Sequence, residues 1–182
     1  MKVLFLDIDG VLNNQRTFVN RKKEYYKTGQ YALEIDVEKV LLLKEIIDTT
    51  EAVIVLSSSW RSYLTKIDKQ IIPVHPKMRE LVNLFYQYGL FIYDITPYDE
   101  ERYRQKEIQE WLNNHDNIES FAILDDDDYD LPNFIDKELV KTKFTDKMVL
   151  FPWIDHGGLQ KEHVEKAVAI LNKKDQKIVK KR

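Results

Sequence analysis

The chain contains no cysteine in its 182 residues, so a disulfide framework and a thiolate metal site are both excluded. No apolar run approaches the ~20 residues of a membrane span. A signal peptide is also missing from the start, because Lys2 is followed by only four apolar residues before Asp7. The excess of one sign of charge is small: the formal net charge of −3 gives no global reason to expect nucleic acid. Only Lys173 to Arg182 is basic, and it reads as a solvated tail. Internal repeats and low-complexity linkers are absent too. A soluble, most simply cytoplasmic protein is expected, with no membrane and no obligate protein partner. Hydrophobic residues make up 43% and charged residues 32%, which is enough for one globular core. The length suggests a single domain over residues 1–172, followed by the basic tail 173–182.

Short apolar runs alternate with helical patterns. Val3–Leu6, Val53–Leu56, Leu90–Tyr93 and Phe121–Leu124 are β-branched or aromatic and do not alternate with polar residues. They read as strands covered on both faces. Between the first two, Asp36–Asp48 has Val37, Val40, Leu41, Leu43, Ile46 and Ile47 at amphipathic helical spacing, with Asp36 as N-cap. Pro76–Tyr88 predicts a helix with Pro in its first turn and Gly89 just past its end. Glu100–Asn113 and Leu159–Leu171 predict two more. The alternation implies an α/β fold, a mostly parallel sheet with helices on both faces. Residues 13–35 break it: Asn13, Asn14, Asn20 and Gly29 interrupt, while Phe18, Tyr25, Tyr26 and Tyr31 offer packing. They are expected to form a flap, not a full cap domain.

In such sheets the ligand site lies at the carboxyl ends of the strands. The first strand ends in Asp7-Ile8-Asp9-Gly10, the second in Ser57-Ser58-Ser59-Trp60-Arg61, the fourth in Asp125-Asp126-Asp127-Asp128. Asp7 and Asp9 face the same way if extended geometry continues through Ile8. With Asp125 and Asp126 added, several negative charges converge, and they repel unless a cation neutralises them. Oxygen donors without His or Cys favour a hard ion, and Mg²⁺ fits best. A carboxylate is also a nucleophile toward phosphorus. A second carboxylate then protonates the leaving oxygen, and a cation holds the transferring group. Asp7, Asp9, a serine hydroxyl and Lys106 would supply these parts.

These residues carry a family resemblance. "DIDGVLN" resembles the first motif, DxDGx[TV], of the haloacid-dehalogenase (HAD) superfamily of phosphotransferases. "VIVLSSSWR" resembles its second motif, Lys106 at the start of "KEIQEWL" its third, and "FAILDDDD" its fourth. The four occur in the family's order between Val3 and Asp128. "SSSWR", "ILDDDD" and the "GL" before the last helix further resemble the HAD domains of Swiss-army-knife RNA-repair proteins, which are similar to the phosphatase half of polynucleotide kinase-phosphatases.

The resemblance implies a HAD-like, Rossmann-like three-layer fold with a minimal cap, and a Mg²⁺-dependent phosphatase. Asp7 would attack phosphorus and bind the metal. Asp9 would act as acid and base and ligate the metal through its backbone carbonyl. Ser58, with Ser57 as the alternative, would bind the phosphoryl oxygens. Lys106, or Arg104 in its place, would hold the nucleophile and phosphoryl charge together. Asp125 and Asp126 would complete the metal shell. An open site would suit a large phosphorylated substrate, such as a nucleic-acid end or a phosphoprotein. A small metabolite is the alternative if the flap covers the site.

Several residues have blander readings. Trp60 is more simply a core anchor than a stacking platform, and Arg61 is expected to be exposed, where it would meet a substrate phosphate. The four histidines show no ligand spacing and read as surface residues. A phosphoacceptor signalling domain is the rival function. It needs no acid two residues after the acceptor, and Asp9 argues against it.

Overall fold

Val3, Leu4, Phe5 and Leu6 are wholly buried, and alternate residues face opposite ways. Val3 and Phe5 pack with Val55, Phe121, Ile123, Ile108 and Trp111. Leu4 and Leu6 pack with Ile54, Leu56, Leu124, Leu43, Leu81 and Ala167. A strand apolar on both faces needs a covering layer on each, and this strand has both. In the computed structural model, which describes residues 1–30, 32–68, 70–98, 103–135, 137–145 and 157–173, it is β1 (Lys2–Leu6).

The chain continues through α1 (Gln15–Thr28), α2 (Val37–Thr50), β2 (Val53–Leu56) and a 3₁₀ turn (Ser59–Tyr63). A hairpin β3–β4 (Leu64–Ile67, Gln70–Pro73), α3 (Pro76–Gln87), β5 (Ile92–Ile95) and α4 (Arg104–Asn113) follow. β6 (Ser120–Asp125), β7 (Leu139–Lys141) and α5 (Lys161–Leu171) complete it. Among the described residues the central sheet has five strands in the order β5-β2-β1-β6-β7, and each of these pairings is parallel. Helices α2, α3 and α5 supply one outer layer, and α4 with Leu131 and Phe134 supplies the other. This is the expected α/β, HAD-like arrangement. Phe5 meets the edges of Trp111 and Phe121 at 5.4 and 5.9 Å, locking β1, α4 and β6 together.

The expected elements shift at identifiable points. The third strand was expected at Leu90–Tyr93 and lies at Ile92–Ile95. Gly89, at φ 70°, ends α3; its N–H donates to the Tyr86 carbonyl (3.1 Å) and that of Leu90 to Phe85 (2.9 Å). That closure uses Leu90 for the helix cap. Asp36 caps α2 by accepting from the Glu38 N–H. α4 begins at Arg104, later than the expected Glu100; residues 99–102 and the tail from 174 onward lie outside the described residues. The short β7 and the hairpin β3–β4, tied to β5 by Lys66 donating to Asp94 (2.7 Å), were not foreseen. The segment expected as a flap contains the 14-residue α1. Among the described residues no helix is long and apolar enough to cross a membrane.

Candidate active site

The backbone ladder runs one residue past the strands. Asp7 N–H donates to the Leu124 carbonyl (2.9 Å), Ser57 to Leu6 (2.9 Å), Thr96 to Leu56 (3.0 Å) and Thr142 to Asp125 (2.8 Å). These bonds fix the polar residue at each strand end to the same edge of the sheet. Oxygens of Asp7, Asp125 and Asp126 lie within 4.8 Å of one another there.

Gly10 makes room for this cluster. It sits at φ 70°, a region costly for a residue with a Cβ, and a Cβ at that point would run into the Asp126 carboxyl. The Thr142 hydroxyl donates to the Gly10 carbonyl (2.7 Å), and the Gly10 N–H donates to Asn13 Oδ1 (3.0 Å). The turn after β1 is therefore held from both sides. Asp127 and Asp128 point their charge elsewhere. Asp127 accepts from the Tyr129 N–H (2.8 Å), and Asp128 pairs with Lys141 (2.7 Å).

Burial pushes up the pKa of all three clustered carboxyls. Asp7 is raised by burial, with Arg104 and the Ser58 hydroxyl acting against the shift. Asp125 is raised to about 7, again by burial, with Asp7's charge adding to it. Asp126 is raised to about 6 by burial and then by Asp7. Arg104 is the counter-charge: its Nη1 lies 3.3 Å from Asp7 Oδ1 and hydrogen-bonds Asp125. Burial works against its charge, but the two carboxylates outweigh burial and hold its pKa above the usual value. Among the described residues, one guanidinium against three carboxyls leaves a negative excess. Carboxylate oxygens alone, converging within a few ångströms, suit a hard divalent cation such as Mg²⁺.

Asp9 stands apart from this cluster. Its Oδ1 accepts from Asn13 Nδ2 (2.8 Å) and its Oδ2 from Trp60 Nε1 (2.9 Å). Both oxygens are thus held by neutral donors, and the side chain is only partly buried. Ser58 is buried, its hydroxyl bonds Asp7, and it accepts from the Trp60 N–H (3.3 Å). The Ser57 hydroxyl is buried without a partner among the described residues, and Ser59 is exposed.

Lys106 and Arg61 lie differently from the sequence expectation. Lys106 is exposed on α4, while Arg104, the first residue of that helix, reaches the carboxylates. Glu107 and Ile108, three and four positions after Arg104, share its buried face, whereas Lys106 lies on the exposed side of the helix. Arg61 is 4% exposed, not at the surface. Its guanidinium pairs with buried Glu107 and donates to the carbonyls of Ser57 (3.2 Å) and Ser58 (3.0 Å). Its charge is therefore spent inside, tying the serine turn to α4. Trp60 is 3% exposed, with Lys77 Nζ 3.6 Å from its ring centre, so no face is open for stacking on a substrate.

Asn13, Glu107 and Thr142 escaped the sequence reading. Glu107 was legible only through its spacing from Arg104, and Asn13 only as one of two asparagines after the turn. His115 stacks on Trp111 (3.7 Å) and lies 3.5 Å from Asp94, and His163 Nδ1 accepts from the N–H of Gln160, the N-cap residue of α5 (2.9 Å), so neither is a simple surface residue.

A family model described as the HAD domain in Swiss Army Knife RNA repair proteins matches residues 3–148. No curated protein and no solved structure matches the chain.

Proposed function

The chain belongs to this family of HAD domains, which in general are phosphatases that use Mg²⁺, and we propose that it hydrolyses phosphomonoesters at nucleic-acid ends through an aspartyl-phosphate on Asp7. The observation that carries this reading is the division of labour between the two aspartates of the first motif. Asp7 is buried against Arg104, Ser58, Asp125 and Asp126, while Asp9 is held apart by Trp60 and Asn13.

Asp7 attacks phosphorus with one carboxylate oxygen as the bond to the ester oxygen breaks. Asp9 gives its proton to that leaving oxygen, then takes one from the water that cleaves the aspartyl-phosphate, so inorganic phosphate leaves and both aspartates are restored. Arg104 and the Ser58 hydroxyl stabilise the charge on the transferring group. Asp7, Asp125 and Asp126 would hold Mg²⁺, which when bound offsets the negative charge of the phosphoryl oxygens.

The test is release of inorganic phosphate from an aryl phosphate, a sugar phosphate, a phosphopeptide, and 3′- and 5′-phosphorylated oligonucleotides, with and without a chelator. Turnover that depends on a divalent ion and favours an oligonucleotide is expected. Asp7→Asn should lower it by at least about 10³-fold, because an amide cannot replace the nucleophile. Preference for the sugar phosphate would transfer the substrate to small metabolites. A stable phosphoprotein without turnover would favour the signalling reading.

A further inference from the structure

Helix α1 joins a surface of unusual composition to the reacting end of the molecule. Its sequence, QRTFVNRKKEYYKT, has five basic residues against one acidic residue, in a chain of formal charge −3. Thr17 is its one buried residue. Arg16 and Arg21 help to hold the helix down. Arg16 pairs with Asp36 (2.9 Å) and Glu38 (3.1 Å), and Arg21 pairs with Glu34 and donates to the Ala32 carbonyl (3.1 Å). Lys22, Lys23 and Lys27 stand exposed.

Aromatic rings share that exposed surface: Phe18, Tyr25 and Tyr26, the last 76% exposed. Helical spacing interleaves the two kinds of residue. Phe18 and Lys22 are four apart, Lys22 and Tyr26 four, and Lys23 and Tyr26 three, so Lys22 and Lys23 each neighbour a ring on an adjacent turn, and Lys27, four after Lys23, extends the basic row. Lysines that track phosphates and rings that stack on bases are the two elements of a single-strand platform.

The helix also starts at the site. Asn13 holds Asp9, and Asn14, the next residue, caps α1 by accepting from the Thr17 N–H (3.0 Å) and is anchored by donating to the Gly157 carbonyl (2.6 Å). From there 14 residues run outward, about 21 Å at ~1.5 Å per residue.

Resting on the phosphomonoesterase reading above, we propose that α1 docks the single strand of nucleic acid whose terminal phosphate enters the site. A helix that lies in a membrane presents a broad apolar face of Leu, Trp or Phe. Here the exposed rings are one phenylalanine and two tyrosines set among lysines, and the helix begins beside the acid-base aspartate. Its length matches about three nucleotides of stretched strand or six of stacked strand, taking ~3.4 Å per stacked nucleotide. kcat/KM should therefore rise with oligonucleotide length up to roughly six nucleotides and then level off.

The experiment uses the full chain with Lys22→Glu, Lys23→Glu and Lys27→Glu combined, and separately Tyr26→Ala. None of these residues touches the carboxylate cluster. Two readouts are taken: kcat/KM on an aryl phosphate and on phosphorylated oligonucleotides of two to twelve nucleotides, and fluorescence anisotropy of a labelled phosphorylated decamer in the Asp7→Asn background. The triple variant should leave the aryl phosphate unchanged and raise KM for the long oligonucleotide at least about tenfold. It should also flatten the salt dependence of decamer binding by about two in slope, at ~0.7 per lost phosphate contact. Tyr26→Ala should weaken decamer binding by about tenfold.

Decamer binding unchanged by the triple variant would overturn the proposal. So would binding of anionic phospholipid vesicles through the same lysines with no binding of the decamer. Length-independent turnover untouched by the variants would overturn it while leaving the phosphatase intact. Decamer binding lost with the lysines, in a protein that releases no phosphate from any ester, would uphold the docking face and overturn the activity.

Discussion

At the carboxyl edge of the sheet, Asp7, Asp125, Arg104, Arg61 and Glu107 are largely buried and paired with one another. Helix α1, which begins at Gln15, presents Lys22, Lys23 and Lys27 to solvent. Charge does different work in the two places. Buried charge is costly to desolvate, so it persists only where partners fix its geometry, and fixed geometry is what a nucleophile and its counter-ions require. Exposed charge is cheap, mobile and screened by salt, which suits capture of a polyanion. Single substitutions at the sheet edge should therefore change stability and kcat together, whereas substitutions of the three exposed lysines on α1 should change neither and act on binding.

The largest expected effect on stability is at Glu107. Glu107→Ala leaves the Arg61 guanidinium buried without its carboxylate, at a cost of about 3–5 kcal/mol. Lys22→Ala should stay within about 0.5 kcal/mol. The double change Arg61→Met, Glu107→Leu separates packing from positioning. Replacing a buried pair by apolar groups of similar volume is often neutral for stability. The Ser57 and Ser58 carbonyls nevertheless lose their donor. Thermal denaturation should show the double variant near wild type while its kcat falls. Full kcat in the double variant would show that the pair is structural only.

Stability of the metal-free protein should fall as pH rises from 5 to 8. Asp125 and Asp126, raised to about 7 and about 6, keep protons that the unfolded chain releases near pH 4. Their contribution is complete below that pH and is lost as pH rises through the folded values. His163, whose pKa burial lowers, acts in the opposite sense, but as one group against two carboxyls. Asp94 and Asp128, held below the usual range, act at lower pH. Asp94 is lowered although burial opposes the shift, because Lys66, the Ile95 N–H and Trp111 together outweigh it; Asp128 is lowered by Lys141. A loss of several degrees in Tm is expected, roughly. Mg²⁺ should remove it, with its largest stabilisation at the alkaline end. Asp126→Asn should reduce the slope; an unchanged slope would detach the clustered carboxyls from the effect.

Gly10→Ala should act locally. Its φ of 70° costs a residue with a Cβ about 1–2 kcal/mol, and the methyl collides with the Asp126 carboxyl. Weaker Mg²⁺ binding by calorimetry, with the sheet intact by circular dichroism, is the expected result.

How much of this was visible in the sequence follows the same division. β1, β2 and β6 were legible because Val3–Leu6, Val53–Leu56 and Phe121–Leu124 are apolar on both faces, and their ends carried Asp7, Ser58, Asp125 and Asp126 to one edge. β5 slipped because Gly89 and Leu90 close α3 before the strand begins. α1 was read as a flap because Thr17 is its one buried residue, and a helix that buries so little has no apolar period to read. Arg104 and Lys106 were both candidates for one role, and only helix phase separates them. Arg61 was expected outside because it follows the end of the second strand. Its burial depends on Glu107, 46 positions away, and no local pattern announces that partner.

The hydrogen bonds to Asp9 join the two regions. Trp60 donates to Asp9 from the sheet side, and Asn13 donates to it from the residue before the α1 cap. Trp60→Phe keeps the buried ring but removes one of the two donors, so Asp9 is still present and less well aimed. kcat should fall several-fold, up to about tenfold, within the range expected for weakening a positioned acid or base. KM should hold, because the indole is buried beneath Lys77 and offers substrate no face. Loss should be greater with an alkyl phosphate than with an aryl phosphate, since the poorer leaving group depends more on the proton that Asp9 supplies. Steady-state kinetics on both esters checks this. A raised KM with kcat intact would make Trp60 a substrate contact and return it to the stacking role that its burial argues against.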